Sequence, residues 1–495
     1  MPQFDKKGVA KKSVNISEWY NDVVLRAELA DYAPVKGCMV IRPYGYALWE
    51  SIQSFLDKLI KERGVQNAYF PIFIPEKFLE KEKEHVEGFS PHLAVVTIAG
   101  GEKLKERLVV RPTSETVMYD MYKKWTQSWR DLPILINQWN NIVRWEKRTY
   151  LFLRTSEFLW QEGHCAHLTP EENMETVLWA LRAYEKTYNE LMAMYGIPGV
   201  KSNSEKFAGG DKTYSFEMLM PDGKALQSCT SHDLGQNFAK AFDWTVLDKS
   251  GEKIYPWQNS WGFSTRSIGG LILAHGDDQG IVLPPNIAPI QVIIIPIKIT
   301  PEILNYCTKL KEDLEKNDIR VKVDDRDSKS VGWKFNEWEL KGVPVRIEIG
   351  EKEMTTGELS VSRRDDNSKL KIPFDSAQGR QITQPKADPP LAEKSSLQIK
   401  EILENIQKTL FAKMKKFTLD NTHSVDSYEE FKKIMETTRG FIKAMWCENP
   451  DCEKKIKEET KATTRILPLD SKDEKGSCIY CKKEARNRWL FAQAY

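Results

Sequence analysis

The sequence predicts a multidomain protein of mixed α/β and α+β class, and three observations predict it. The chain has 495 residues and is 41% hydrophobic, enough to bury more than one core and form roughly two to four domains. From residue 291 onward, β-branched runs alternate with helical periods, the pattern of a compact α/β domain. Up to about residue 285 the chain is aromatic-rich and irregular, and near its C-terminus four of the eight cysteines cluster. These changes of texture divide it into 1–285, 286–412 and 413–495.

The elements follow in order. Pro43 opens an amphipathic helix in which Leu48, Ile52, Phe55 and Leu59 recur at i, i+4, i+7 and i+11, and Gly64 supplies its stop. NAYFPIFIP (67–75) reads as a strand. R-x-E at 144–146, a loop, then R-x-x-x-F-x-x-x-E at 154–162 suit two antiparallel strands joined by a long hairpin. A helix is expected over 171–195 and a strand at QSCTSH. In the α/β segment QVIIIPI, IRVKVDD and VPVRIEIG read as strands, and PEILNYCTKLKEDLEKN and WKFNEWELKG as helices. Residues 373–396 lack periodicity and are rich in Pro, Gln and Ser, so they read as a loop or linker. A helix, LQIKEILENIQKTLF, leads into the cysteine-bearing tail. No internal repeat is visible.

Charge and hydropathy narrow the function classes. Lys+Arg 73 against Asp+Glu 71 gives a net charge of +2, which neither requires nor excludes a nucleic-acid partner, because phosphate binding depends on a local basic surface. No apolar run reaches the roughly 20 residues of a membrane span, and MPQFDKKGVAKK lacks the apolar core of a secretory signal. A soluble, cytoplasmic protein with no membrane partner is expected.

The chemistry concentrates at 144–164. Arg144 and Arg154 can grip phosphate or carboxylate oxygens bidentately, Phe158 can stack on a base, and Glu146 or Glu162 can accept from an amine. A nucleotide attacked at phosphorus needs that combination, although a surface hairpin laced with ion pairs would also produce it. In the tail, Cys447-x4-Cys452 is followed by twenty-five residues and then Cys478-x2-Cys481. Two close thiol pairs at that separation suit a tetrahedral, structural zinc with no open position, and free thiols or a disulfide are the alternative.

The 144–162 run resembles motif 2 of the class II aminoacyl-tRNA synthetases, and GHCAH directly after FLWQE resembles the prolyl-tRNA synthetases of the archaeal and eukaryotic-like type. RPTSET (111–116), EKFAGGD (205–211), ALQSCTSHDLGQNFAKAF (225–242), WGFSTRSIGGLILAHGDDQGIVLPPNIAP (261–289), GWKFNEWELKGVPVRIEIG (332–350) and the terminal WLFAQAY agree with that family. The 373–396 segment departs from it, being longer than the usual connection, and so does Lys147, where some relatives carry an aromatic residue. The implied fold is a class II antiparallel-sheet catalytic domain, an α/β anticodon-binding domain and a small C-terminal zinc-binding α+β domain.

The resemblance also implies roles. ATP activates L-proline to prolyl-adenylate, which is transferred to the 3′ end of tRNA(Pro) without a cis-editing domain. Arg144 bridges the proline carboxylate and the α-phosphate, Glu146 reads the adenine amino group, Phe158 stacks on one face of the base, and Arg266 covers the other and reaches the γ-phosphate. Arg154, Thr155, Gln227, Thr230 and Ser264 are implied as further contacts of ATP or its Mg2+. Thr113 and Glu115 would hold the proline ammonium, with Trp160, Glu162, His164, Phe207 and His232 around the ring, and Ser264 is implied at the proline site as well. Glu339, Arg346 and Lys352 align with residues that meet the two guanines of a proline anticodon, Pro71 with a dimer-interface proline, and Tyr495 with a terminal tyrosine whose carboxylate reaches the catalytic domain. The expected assembly is a homodimer. A catalytically dead relative that binds tRNA, or a threonyl-, glycyl- or histidyl-tRNA synthetase, would share this architecture.

Overall fold

The computed structural model describes residues 9–79, 93–374 and 391–495. At its centre an 11-stranded sheet runs in the order Thr422–Ser424, Phe441–Trp446, Asn487–Gln493, Ala462–Pro468, Ile197–Val200, Lys212–Leu219, Ala225–Gly235, Trp257–Ser264, Glu157–His167, Ile134–Val143, Gln66–Asn67. Its pairings are antiparallel except at the two ends, where Thr422–Ser424 and Gln66–Asn67 each run parallel to their neighbour. The cysteine-bearing tail therefore continues the sheet of the N-terminal domain. The junction is Leu467 opposite Val200 and Pro468 opposite Gly199, and a Cβ on Gly199 would lie 2.5 Å from the Leu467 carbonyl oxygen, so the close approach requires glycine there.

Around the sheet, amphipathic helices bury single stripes. The Pro43–Glu62 helix buries Leu48, Ile52, Leu56 and Ile60, a face rotated slightly from the expected one, with Phe55 and Leu59 only partly buried at its margin. Helix Pro170–Lys186 lies across the sheet, held by Asn173 to Asp233 and Asn259 and by the Ser231 hydroxyl donating to the Val177 carbonyl. It ends earlier than expected, in a π-turn over Thr187–Leu191. NAYFPIFIP is not one strand. It divides into Gln66–Asn67, on the central sheet, and Phe73–Pro75, which joins a separate three-stranded sheet with Ala94–Ala99 and Glu102–Val110.

The segment from 291 forms a five-stranded sheet in the order Val321–Val323, Val292–Pro296, Val345–Ile349, Glu358–Arg363, Lys369–Pro373, the first three parallel. Each of its expected strands and helices is present. The expected linker is shorter, because Pro373 ends a strand and the next helix, Leu391–Asp420, already begins six residues before 397; residues 375–390 of that segment lie outside the described residues. This helix buries Ile399, Leu403, Ile406 and Leu410 in the α/β core. One turn further on, its Met414 joins the core of the N-terminal domain, so a single helix ties the two together.

Candidate functional site

Strand alternation builds the site. Along Glu157–His167 the side chains of Trp160, Glu162 and His164 fall on one face, with Ser264, Gly262 and Ser260 opposite them on one neighbour and Asn140, Gln138 and Ile136 on the other. On the reverse face, a Cβ at Gly163 would sit 2.1 Å from the Trp261 ring, so only glycine lets that indole pack beneath the site. Thr230 and His232 come in from the Ala225–Gly235 strand, two positions apart. Thr113 and Glu115 arrive from the loop that starts helix Glu115–Trp125.

These elements enclose a cavity of about 390 Å³ lined by Thr113, Glu115, Arg144, Trp160, Glu162, His164, Phe207 and His232, with Gln227 and Thr230 at one side. Glu162 is its most heavily engaged group. Its Oε1 accepts from Ser114 Oγ (2.5 Å), Asn140 Nδ2 (2.6 Å) and Gln138 Nε2 (3.0 Å), and its Oε2 meets His164 Nε2 at 2.9 Å. Burial opposes charge on both members of this pair, yet their contact outweighs it, holding Glu162 below its ordinary pKa and, with help from Glu115, His164 above its own. His232 behaves oppositely. Burial, reinforced by His164 and Arg144, lowers it to about 3, so it is neutral, and its Nδ1 lies 2.9 Å from the Thr213 hydroxyl while its ring lies 4.6 Å from Phe207. Thr113 donates its hydroxyl to Glu115.

A second cavity, of about 520 Å³, adjoins the first and shares Gln227 with it. Glu146, Arg154, Arg266 and the terminal Tyr495 line it. Arg154 Nε bonds Glu146 Oε2 at 2.9 Å, and Arg266 Nε donates to the Leu153 carbonyl at 3.0 Å. Arg144, in the lining of the first cavity, has its guanidinium carbon 5.8 Å from the Phe158 ring and 5.5 Å from that of Trp160, and its Nε donates to the Pro112 carbonyl. Burial lowers the pKa of both Arg144 and Arg266. For Arg266 the charge on Arg144 lowers it further. Two buried guanidiniums, one lining each of two adjoining cavities, suit the binding of an anion.

Not every expected residue joins these cavities. Arg144, Glu146 and Arg154 lie in the connection between Ile134–Val143 and Glu157–His167 and not on the strands themselves. Ser264 lines neither cavity, and its hydroxyl accepts from the Arg266 N–H. Thr155 turns its hydroxyl to the Glu157 carbonyl, and Phe158 lines neither cavity but packs against Arg144 and Trp160, which line the first. Conversely, Gln138, Asn140 and Thr213 carry site hydrogen bonds that no motif flagged, and Ser114, inside RPTSET, carries one for which no role was expected. The only signal for Gln138 and Asn140 was a run of amides, NQWNN, in an otherwise apolar strand.

Away from this centre, Glu339 and Arg346 share a cavity of about 400 Å³ with Phe335, Arg363 and Arg364. Arg346 packs 4.1 Å above the Phe335 ring and bonds Glu348 at 2.9 Å, while Lys352 lies outside that cavity on the exposed side of helix Glu351–Thr356. In the tail, the sulfurs of Cys447, Cys452, Cys478 and Cys481 all lie within 4.8 Å of one another, with Cys447 3.7 Å from Cys452 and 3.6 Å from Cys481. A tetrahedral zinc with Zn–S bonds of about 2.3 Å sets sulfurs about 3.8 Å apart, so the residues present fit that metal.

Family profiles account for most of the chain: "tRNA synthetase class II core domain (G, H, P, S and T)" matches residues 97–275, "Anticodon binding domain" 291–380 and "Prolyl-tRNA synthetase, C-terminal" 428–495. Among curated relatives, proline–tRNA ligase 2 of Clostridioides difficile is 50% identical over 98% of each chain, and the proline–tRNA ligase of Natranaerobius thermophilus is 49% identical over 99% of this chain and 98% of its own. A crystal structure of the prolyl-tRNA synthetase from Cryptosporidium parvum complexed with halofuginone and AMPPNP superimposes with a TM-score of 0.90 at 41% identity, covering 98% of this chain and 99% of that one. Its complex with L-proline and AMP gives 0.90 at 40%. With three matching domains in order and full-length relatives at half identity, the chain belongs to the prolyl-tRNA synthetase family of class II aminoacyl-tRNA synthetases.

Proposed function

We propose that the chain activates L-proline with ATP and transfers it to the 3′ end of tRNA(Pro), as the names of its relatives indicate for them. The observation that carries this reading is a pair of adjoining cavities that share Gln227, one holding Arg144 with Glu115 and Glu162, the other holding Arg266 and Glu146. Proline's secondary ammonium would sit against Glu115 and Thr113, with its ring among Trp160, His164, Phe207 and His232. Desolvating that cation requires an opposite charge, and Glu115 is buried where it can supply one.

The carboxylate would then point toward Arg144. It attacks the α-phosphorus, a C–O–P bond forms, and pyrophosphate leaves. The nucleophile is already an anion, so no general base is required, and positioning with charge neutralisation supplies the rate. Arg144 and Arg266 are placed to neutralise the charge that develops. Glu146, Arg154, Thr155, Phe158, Gln227, Thr230 and Ser264 are proposed for ATP. When bound, Mg2+ would neutralise charge on the phosphates. In the second step a ribose hydroxyl at the tRNA 3′ end attacks the carbonyl and AMP departs.

Around this chemistry we infer recognition of the anticodon by Glu339, Arg346 and Lys352, of which the first two are supported by their common cavity. A structural zinc on Cys447, Cys452, Cys478 and Cys481, together with the short interval between Glu162 and Arg266, supports the archaeal and eukaryotic-like type. A homodimer is supported by the exposed Tyr69 and Phe73 beside Pro71. No helix among the described residues is long and apolar enough to cross a membrane, and a cytoplasmic location accords with a role in translation. ATP–pyrophosphate exchange measured across the twenty amino acids tests the central reading. The expected result is strong exchange with proline and weak exchange with alanine. Exchange led by threonine, glycine or histidine, or none at all, would overturn it.

A further inference from the structure

We propose that Glu453, in the tail, is a positioning residue for the amino-acid site: through Ser202 it holds the turn that leads to Phe207. This rests on the assignment of the first cavity to proline.

The turn closes on one residue, Ser202. The N–H of Glu205 bonds both the carbonyl and the hydroxyl of Ser202, the N–H of Lys206 bonds the same carbonyl at 2.9 Å, and Phe207 follows directly. Glu205, Lys206 and Phe207 all line the cavity. Phe207 then donates its N–H to Thr213, which in turn meets His232. Whatever fixes Ser202 therefore fixes one wall of the site.

What fixes it belongs to the tail. The Ser202 hydroxyl donates to Glu453 Oε1 at 3.0 Å, and Thr464 donates its hydroxyl to the same oxygen. All three side chains are buried. Lys457, one turn along the Pro450–Thr460 helix from Glu453, adds an ion pair to Glu205 at 3.7 Å. A serine hydroxyl has one proton to give, so the bond to Glu453 commits the direction of Ser202 and leaves its lone pairs for the Glu205 N–H. The second carboxylate oxygen, Oε2, is buried with no hydrogen-bond partner among the described residues. A buried carboxylate satisfied on one side only is a poor stabiliser of a fold. Its arrangement makes sense as a fixed acceptor that holds two hydroxyls, one from each side of the sheet junction.

Exchange kinetics on the full-length protein test the proposal, with proline and ATP varied in turn for Ser202→Ala, Glu453→Leu, Glu453→Gln and, as a reference for the cavity itself, Phe207→Ala. Ser202→Ala and Glu453→Leu are expected to raise KM for proline about tenfold, with KM for ATP and kcat within about twofold. Glu453→Gln keeps an oxygen that can accept both hydroxyls and should stay within about threefold of the parent protein. Ser202 lies outside the tail, so it decides alone should Glu453→Leu not yield folded protein. Equal rises in KM for proline and ATP, or an unchanged KM for proline in Ser202→Ala beside a raised one in Phe207→Ala, would overturn the role of Glu453. An unchanged value in Phe207→Ala would show instead that the cavity is not the proline site, and the proposal would fall with it.

Discussion

In the cavity proposed for proline the Glu162–His164 pair is buried and held by further neutral donors, whereas in the cavity proposed for ATP the Arg154–Glu146 pair is held only by itself at the surface. Glu162 and His164 are 2% and 1% exposed and pair beneath three further donors, while Arg154 and Glu146 are 54% and 23% exposed and share a single contact. Breaking the first pair from one side costs about 3–5 kcal/mol. The second is worth about 0–1 kcal/mol, so an incoming nucleotide displaces it at little expense. The difference teaches a division of labour: amino-acid selectivity resides in a pocket built in advance, and nucleotide binding in groups released from weak mutual pairing.

The largest test removes the cation of the first cavity whose charge also bears on Arg266 in the second. Arg144→Ala should abolish adenylate formation, because a charge-assisted contact to the reacting phosphate is worth on the order of 3 kcal/mol or more in the transition state. Exchange rates within about threefold of the parent would show that Arg144 is a bystander. The contrast between the cavities would then lose its hinge.

A smaller effect should separate the two sides. Glu162→Gln leaves His164 facing an amide, and the expected loss is about 1–3 kcal/mol of proline binding with ATP binding unaffected. Titration provides a second reading. His164 is held above its ordinary value of 6.5: burial works against its charge, but Glu115 and Glu162 outweigh it. A group raised in the folded state contributes stability that is full below 6.5 and is lost as pH rises through the folded value. Melting temperature should therefore fall through that range in the parent protein and fall less in Glu162→Gln. Parallel pH profiles would mean that the pair is not charged.

What sequence made legible in this site was local, and what it concealed was long-range. Trp160, Glu162 and His164 could be read together because a strand's period of two puts them on one face. Gln138 and Asn140 could not, since their access to Glu162 depends on the register of Ile134–Val143 against Glu157–His167, which the intervening connection sets. The first part of the α/β domain was readable because its buried strands are β-branched and its helices carry clear stripes, whereas the strands Glu358–Arg363 and Lys369–Pro373 were not expected. The junction of Ala462–Pro468 with Ile197–Val200 left no trace, because it is made by backbone groups at a glycine. With it went the view of the tail as part of the catalytic sheet. The helix face at Leu56 and Ile60 was misjudged by one position because both neighbouring faces are apolar.

The smallest expected effect is none at all, and it bears on how far a pocket built in advance can discriminate. Alanine lacks the ring but fits any space that admits it, and each methylene missing from an apolar site is worth only about 1–3 kcal/mol, so a rigid cavity reduces alanine activation without preventing it. Correction after the fact would require a hydrolytic site. Glu162 and Arg266 are 104 positions apart, and the interval is fully used: helix Pro170–Lys186 covers the sheet, and Ile197–Val200, Lys212–Leu219, Ala225–Gly235 and Trp257–Ser264 are strands within it. No residues there remain for a separate editing domain. The protein should thus support measurable alanine-dependent exchange and leave preformed alanyl-tRNA(Pro) to decay at its spontaneous rate. Deacylation well above that rate on incubation with purified protein would mean that a second site exists, and that selectivity here does not rest on the proline cavity alone.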